Sequence, residues 1–401
     1  MELYEGKRFW PVLTNELNFP KKTGHYQVDA LVIGGGMSGL LSAYSLARAG
    51  KRVFLIDKDQ IAHGSSSLNT GLIQYMSDVI MLDIDKSYNK EVSNDFYLRS
   101  KAALDYIEEI VNELDDDSVA FRRNMSIYIS NDEQKVEKIR QEVERQNELG
   151  FGTEFLSQDR LKEEYGVKAL GGLLSKEDVE LNPMAFVLAL AKKATEDYGL
   201  LISEHTNVEE ADFSLEDKKL EVDDLRIDYD KLVIATGYDV FPSLNKVLPK
   251  IELVSTYAVV TQPLEKSVAK DLMFWESSSS YLYFRESPDG RLIIGGEDEE
   301  NTDLSADKAR LIADKLIEQV KDYLVDELDL EVEYHYEAIF GESKDGLPYI
   351  GPHPDNKDIF ILHGVGGNGT VYSAMGAMQV VDFSNNRFDE KMDYLWPSKD
   401  Q

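Results

Sequence analysis

The sequence predicts an α/β unit wound on a parallel sheet, joined to an α+β unit built on an antiparallel sheet. Three observations predict it. First, the apolar run Val28–Ile33, a glycine turn, a helical pattern through Gly50 and the run Lys51–Asp57 read as strand, turn, helix, strand, a βαβ unit. Second, two later strands, Lys231–Ala235 and Ile359–Leu362, also run into glycines, and the second continues into a helix to about Phe383. Third, the texture changes from 251 to 296. There Leu253–Thr261, Tyr281–Arg285 and Arg291–Gly296 are rich in β-branched and aromatic residues, and Ser287–Gly290 is a turn signal.

The remaining elements follow in chain order. Residues 1–26, with Pro11, Pro20 and Gly24, read as irregular and polar. Residues 94–114 and 132–149 carry apolar residues three and four apart and read as helices, with Ser126–Ser130 a strand between them. Asn182-Pro183 opens a helix to about Tyr198. Val208–Val222 reads as a β-ribbon and 305–325 as an amphipathic helix. At ~150 residues per domain the 401 residues suggest two or three domains. The expected division is an N-terminal extension (1–26), a discontinuous nucleotide domain (27–115, 180–245 and 336–385), a substrate domain (116–179 and 246–335) and a tail (386–401).

Hydrophobic residues make up 42% and charged residues 29%, ordinary for a chain that folds around a core. With 43 Lys+Arg against 75 Asp+Glu, the formal charge of −32 repels phosphate backbones and anionic membranes, so no nucleic-acid partner is expected. The absence of Cys excludes disulfides, thiolate metal sites and a thiol nucleophile. The six His residues share no ligand spacing, so no metal is expected. No basic segment leads into an apolar run at the N-terminus, and no uncharged apolar stretch reaches 18 residues. The expectation is a cytoplasmic protein with no membrane span.

Gly34-Gly35-Gly36-Met37-Ser38-Gly39 fits GxGxxG. It follows a strand, opens a helix, and Asp57 ends the next strand. The spacing has a mechanism: Gly34 for the tight turn, Gly36 for close approach to a pyrophosphate, Gly39 for helix–strand packing. The helix start offers unpaired N–H groups and a positive dipole end, and Asp57 can accept from ribose hydroxyls. The segment is therefore a Rossmann-type dinucleotide unit. The further strand-to-glycine crossings at Ala235-Thr236-Gly237 and in IFILHGVGGNGT suit a long ligand, FAD rather than NAD.

With these segments the chain resembles the FAD-dependent amine and D-amino-acid oxidoreductase superfamily, which includes glycine oxidase, sarcosine oxidase and gamma-glutamylputrescine oxidoreductase. The resemblance runs from about 28 to 383. It rests on the fingerprint, on HGSSSLNTGLIQY (63–75), YFRESPDGRLIIGGE (283–297), DGLPYIG (345–351) and HGVGGNGTVYSA (363–374). Within the group it is similar to a bacterial branch with a Gly-Ser-Thr-like stretch followed by Leu-Leu-Gln-Tyr-Glu-like residues, where this chain has Gly64-Ser65-Ser66 and Leu72-Ile73-Gln74-Tyr75-Met76. It implies a glutathione-reductase-like FAD fold of amine oxidoreductase type.

The resemblance also implies roles. Gly34, Gly36, Met37, Ser38 and Gly39 would cradle the pyrophosphate, with Asp57 and Lys58 at the adenosine ribose. Ser65, Ser66 and Ser67 would meet phosphate and ribityl oxygens. Thr70, Gly71 and Leu72 would pass the isoalloxazine, Val208 would meet adenine, and Ala235, Thr236 and Gly237 would border the cofactor. Gly366, Gly367, Asn368, Gly369 and Thr370 would bring N–H groups to the N1–C2=O edge. Leu68 stands where some relatives link flavin through His, so the FAD is expected to be noncovalent. Arg285 matches a carboxylate-binding position, with exposure at a strand end as its plainer reading. Tyr257, Tyr281, Tyr283 and Phe340 would wall the substrate, or simply pack the sheet. Of the histidines, His363 adjoins the flavin loop.

The implied reaction is oxidation of a C–N bond in a small amine or amino acid. Hydride passes to flavin N5, the imine hydrolyses, and electrons leave to O2, a quinone or a carrier. A 2-hydroxy acid substrate, an NAD-dependent dehydrogenase and a flavoprotein subunit of a larger electron-transfer complex remain alternatives.

Overall fold

The computed structural model describes residues 3–238, 241, 251–269, 271–277 and 281–399. Two sheets organise them. The smaller has the order Tyr349–His353, Asn356–His363, Leu225–Ile234, Gly24–Ile33, Val53–Ile56, Leu201–Ser203, with a short ribbon, Phe213–Ser214 and Lys219–Val222, beside Leu225–Ile234. The four pairings from Asn356–His363 to Leu201–Ser203 are parallel, and the edge strand Tyr349–His353 joins antiparallel. The βαβ unit thus lies mid-sheet, where both faces are covered. This explains why Leu31, Val32, Phe54 and Leu55 are fully buried and why these strands read as unbroken apolar runs.

The fingerprint helix Met37–Arg48 packs against the helices Pro183–Tyr198 and Gly369–Ser384. All three are apolar on most sides because each is enclosed by sheet and neighbouring helices. Asn182 caps the second, accepting from the Ala185 N–H at 3.1 Å, Pro183 occupies its first turn, and Gly199 ends it at φ 71°.

The larger sheet runs Tyr4–Gly6, Val332–Glu342, Glu252–Pro263, Arg291–Glu299, Leu282–Glu286, Leu272–Glu276, Arg122–Ser130, Gly171–Glu180, Leu72–Ile73. The expected antiparallel sheet is present, although Leu272–Glu276 pairs parallel with Arg122–Ser130. The helix Ala306–Tyr323 covers one face through Ala309, Ala313, Leu316 and Val320.

Two readings need correction, the irregular opening and the start of the ribbon, and the structure adds detail at one division and at the tail. The opening segment is not irregular: Tyr4–Gly6 pairs with Val332–Glu342, and Phe9 and Trp10 are fully buried. The expected division at 336 cuts Val332–Glu342, which pairs along its length with Glu252–Pro263, so sheet membership continues to Glu342. The tail is anchored, with Met392, Tyr394 and Leu395 buried in the Glu390–Leu395 turn. Val208 precedes the ribbon, which starts only at Phe213. The division expected at 245/246 lies outside the described residues.

Candidate active site

A cavity of about 1230 Å³ lies between the two sheets. At one end it is lined by Asp57, Lys58 and Val208. Asp57 ends its strand with both oxygens engaged: Oδ2 accepts from the Gly35 N–H at 2.5 Å and Oδ1 from the Asp59 N–H at 2.8 Å. Burial raises its pKa, and these two N–H groups oppose the shift.

Along the middle lie Gly34, Gly36, Met37 and Ser38 on one side, Ser65, Ser66, Thr70 and Leu72 on another, and Ala235, Thr236 and Gly237 beside them. Gly34 sits at φ 108°, and a Cβ there would strike the Ala235 carbonyl oxygen, so this glycine lets the two central strand ends converge. No side chain of the Met37–Arg48 helix's N-cap, Gly36, closes the helix start. The Met37 N–H donates to Ser66 Oγ at 2.9 Å, which ties the serine turn to it.

At the far end, Gly366, Gly367, Asn368, Gly369 and Thr370 line the cavity before the helix Gly369–Ser384. Asn368 Nδ2 donates to the carbonyls of Gln74 and Met76, each at 3.1 Å, and so does not cap the helix. Facing this loop are Tyr281, Tyr283, Thr256, Asp78, Asp298 and Glu342. Tyr281 Oη donates to Asp78 Oδ1 at 2.9 Å, and the two tyrosine rings lie 5.5 Å apart. Tyr283 pairs across the strand with Gly295, where any Cβ would collide with the phenol. Gly295 thus leaves the space that the Tyr283 ring occupies, whereas a Cβ on Gly296 would strike the Tyr281 backbone carbonyl.

Several expected contacts are not made. Arg285 is 1% exposed and does not line the cavity. Its Nε donates to the Thr70 carbonyl at 2.8 Å and its Nη2 to the Leu181 carbonyl at 3.1 Å, with Glu180 Oε2 3.7 Å from Nη1. It braces the segment behind the cavity instead of reaching a carboxylate within it. Tyr257 is also turned away. Its hydroxyl donates to Glu299 Oε1 at 2.6 Å and its ring packs in the core under the helix Ala306–Tyr323. Ser67 Oγ donates to the Gly64 carbonyl and accepts from Arg8, so it leaves the cavity wall. Gly71 lies against the Leu181 carbonyl and Gly39 against the Gly34 carbonyl; both serve close packing. The Gly366 N–H is used by the Gly341 carbonyl at 3.1 Å. His363 lines the wall with Nδ1 3.2 Å from the Gly237 carbonyl, and burial lowers its pKa.

The model of the FAD dependent oxidoreductase (DAO) family matches residues 29–383. The chain belongs to this family.

This FAD dependent oxidoreductase is 23% identical over 389 residues to a Haemophilus influenzae protein named "Probable oxidoreductase OrdL", covering 92% of this chain and 85% of that one. Over 196 residues, 49% of this chain, it is 26% identical to YhfW of Bacillus subtilis, named as a Rieske 2Fe-2S iron-sulfur protein, and spans only 38% of that longer relative. Its fold matches the crystal structure of glycine oxidase from Geobacillus kaustophilus with TM-score 0.78 at 19% identity, covering 92% of this chain and 98% of that one.

The residues present suit a dinucleotide of FAD's length. Gly36 lines the cavity with only Ser66 Oγ near the place of a Cβ, so its backbone is open to a ligand, and Gln74 Nε2, buried and on the cavity wall, has no hydrogen-bond partner. Asp78, Gln74, Thr256, Asp298 and Glu342 are cavity residues that sequence reading missed. Asp298 sits in GGEDEE, which reads as a solvated acidic run, and no local pattern marks the others.

Proposed function

We propose that the chain oxidises the C–N bond of a small amine or amino acid, with FAD held noncovalently in the cavity. What carries the reading is the continuity of the cavity. It runs from the acid that ends the βαβ unit, past the start of the Met37–Arg48 helix, to a chamber of tyrosines beside the start of the Gly369–Ser384 helix, which no N-cap side chain closes. Asp57 and Val208 would hold the adenosine end, Gly36, Met37 and Ser38 with Ser66 the pyrophosphate, and Gly367, Gly369 and Thr370 the ring. The likeness to glycine oxidase supports amine chemistry at that ring.

When bound there, the flavin supplies the two-electron acceptor. The chain's own side chains bind, orient and exclude water. Tyr281 is fixed by Asp78, and Tyr283 lies across Gly295, so both rings are set before a substrate arrives. The positive end of the helix Gly369–Ser384 favours negative charge beside its first turn. Leu68 is packed against Ala258, Tyr336 and Ala338 and has no group to bond a flavin, which supports noncovalent binding.

The test is anaerobic titration of the flavin-loaded protein with glycine, sarcosine, D-amino acids, proline, polyamine derivatives and 2-hydroxy acids. Bleaching by an amine is expected. Bleaching by 2-hydroxy acids alone, or by nothing, would overturn the reading. Acid precipitation should release all the flavin into the supernatant.

A further inference from the structure

The chamber carries charge of one sign. Asp78, Asp298 and Glu342 line it, and among the described residues none of its lining at this end is Lys or Arg. Of the two arginines beside this wall, Arg285 does not line the cavity and is bound to the Thr70 and Leu181 carbonyls, and Arg8, which lines it, is held by the His63 carbonyl and Ser67 Oγ at the serine turn. The three carboxylates stand around the ring end of the cavity without converging on one point. A Cβ on Gly367 would lie 3.1 Å from Asp78 Oδ2, and one on Gly366 4.0 Å from Glu342 Cγ.

Two unpartnered atoms, a donor and an acceptor, indicate that this chamber is completed by a ligand, and only the acceptor, on Asp298, calls for a cation. Gln74 is 7% exposed, lines the cavity and leaves Nε2 without a partner. Asp298 leaves Oδ1 without one. A metal is the wrong complement, because among the described residues no three acidic or imidazole side chains converge as ligands. Spread carboxylates beside tyrosine faces suit an extended organic ammonium instead, by ion pairing and cation–π contact. A substrate carboxylate at this end would meet like charge, while the cavity's Arg8 guanidinium is held at the serine turn.

We propose that the substrate is an amine carrying a second, distal positive charge, as in a diamine or polyamine, and that Asp78, Asp298 and Glu342 bind that distal cation. The proposal rests on the reading of the cavity as a site of amine oxidation. Burial together with mutual repulsion supports it, since it raises the pKa of Asp298 to about 6 and of Glu342 to about 7. A bound cation relieves this repulsion.

The test uses three ligands of equal chain length on the flavin-loaded protein: butane-1,4-diamine, n-butylamine and 4-aminobutyrate. Their dissociation constants are read from the perturbed flavin spectrum, without turnover. The diamine should bind at least tenfold tighter than butylamine, and 4-aminobutyrate weakest. Asp298→Asn and Glu342→Gln should each narrow the diamine-to-butylamine gap several-fold, with flavin content and Tm confirming that the variants fold. If neither variant folds, the wild-type series alone decides. The proposal is overturned if 4-aminobutyrate matches the diamine, if folded variants keep the full gap, or if none of the three perturbs the spectrum. Diamine preference without any flavin reduction upholds the cation site and counts against C–N oxidation alone. Reduction by glycine or D-amino acids without diamine preference upholds C–N oxidation and overturns the cation site.

Discussion

Single residues separate packing from binding in this site. Gly39 is in the fingerprint, yet it faces the Gly34 carbonyl and not the cavity. Gly39→Ala must push the helix away from the strand, displacing Met37 and Ser38 with it. The expected result is protein that purifies with little flavin, read as the ratio of visible to ultraviolet absorbance; full flavin content would refute the packing account. Arg285 makes the opposite case. Arg285→Met leaves the Thr70 and Leu181 carbonyls without their donor, at about 1–3 kcal/mol each. Urea unfolding should show that loss, while KM for whichever amine is oxidised shifts less than about twofold at a peripheral bracing position. A large KM rise restricted to carboxylate-bearing substrates, with stability unchanged, would restore the carboxylate-binding role.

At the scale of elements, the opening segment closes one edge of the larger sheet. Trp10 Nε1 donates to the Asn69 carbonyl at 2.6 Å, and Arg8 holds Ser67, so the segment clamps the turn that lines the cavity. Trp10→Ala should cost about 3–5 kcal/mol in chemical denaturation and speed flavin release, which stopped-flow or dilution assays would follow. Unchanged stability would mean that the segment is dispensable. Polar composition hid this element: its few apolar residues have no period, and only pairing with Val332–Glu342 makes it a strand. Gly171–Glu180 escaped notice for a related reason. It opens with two glycines and ends in charges, and its Asp178 and Glu180 are buried only because partners across the sheet satisfy them. The βαβ unit and the long helices, by contrast, were legible because their period and caps are local.

At the scale of the whole molecule, buried carboxylates tie stability to pH. Asp178 accepts from Ser126 Oγ at 2.5 Å and from the Tyr75 N–H at 3.1 Å, deep between the sheet and its covering helices. Burial raises its pKa from 3.8 to about 6. Between those values the folded chain holds more protons than the unfolded one, so this group's contribution to stability falls as pH rises. Neutralising it isolates the effect from the histidines, whose lowered pKa values act in the reverse sense. Relative to wild type, Asp178→Asn should gain about 2 kcal/mol between pH 4.5 and pH 7, measured by denaturation at both. A constant difference would show that Asp178 titrates normally.

The sequence by itself determined the family, the dinucleotide unit, and most of the residues along the cavity's adenosine and pyrophosphate stretch. Those rest on spacing within one βαβ unit, where strand, glycine turn and helix start are neighbours in the chain. Only the tertiary structure decided what faces the ring end. Asp78, Asp298 and Glu342 come from three distant segments, Arg285 shares its strand's alternation with the lining residue Tyr283, and Tyr257 lies next to the lining residue Thr256 on the opposite face. Which side of a sheet faces a cavity depends on bulges and on what the opposite face must cover. Gly296 at φ 142° and the register shift between Ser255 and Tyr257 set those faces, and neither can be read from the order of residues alone.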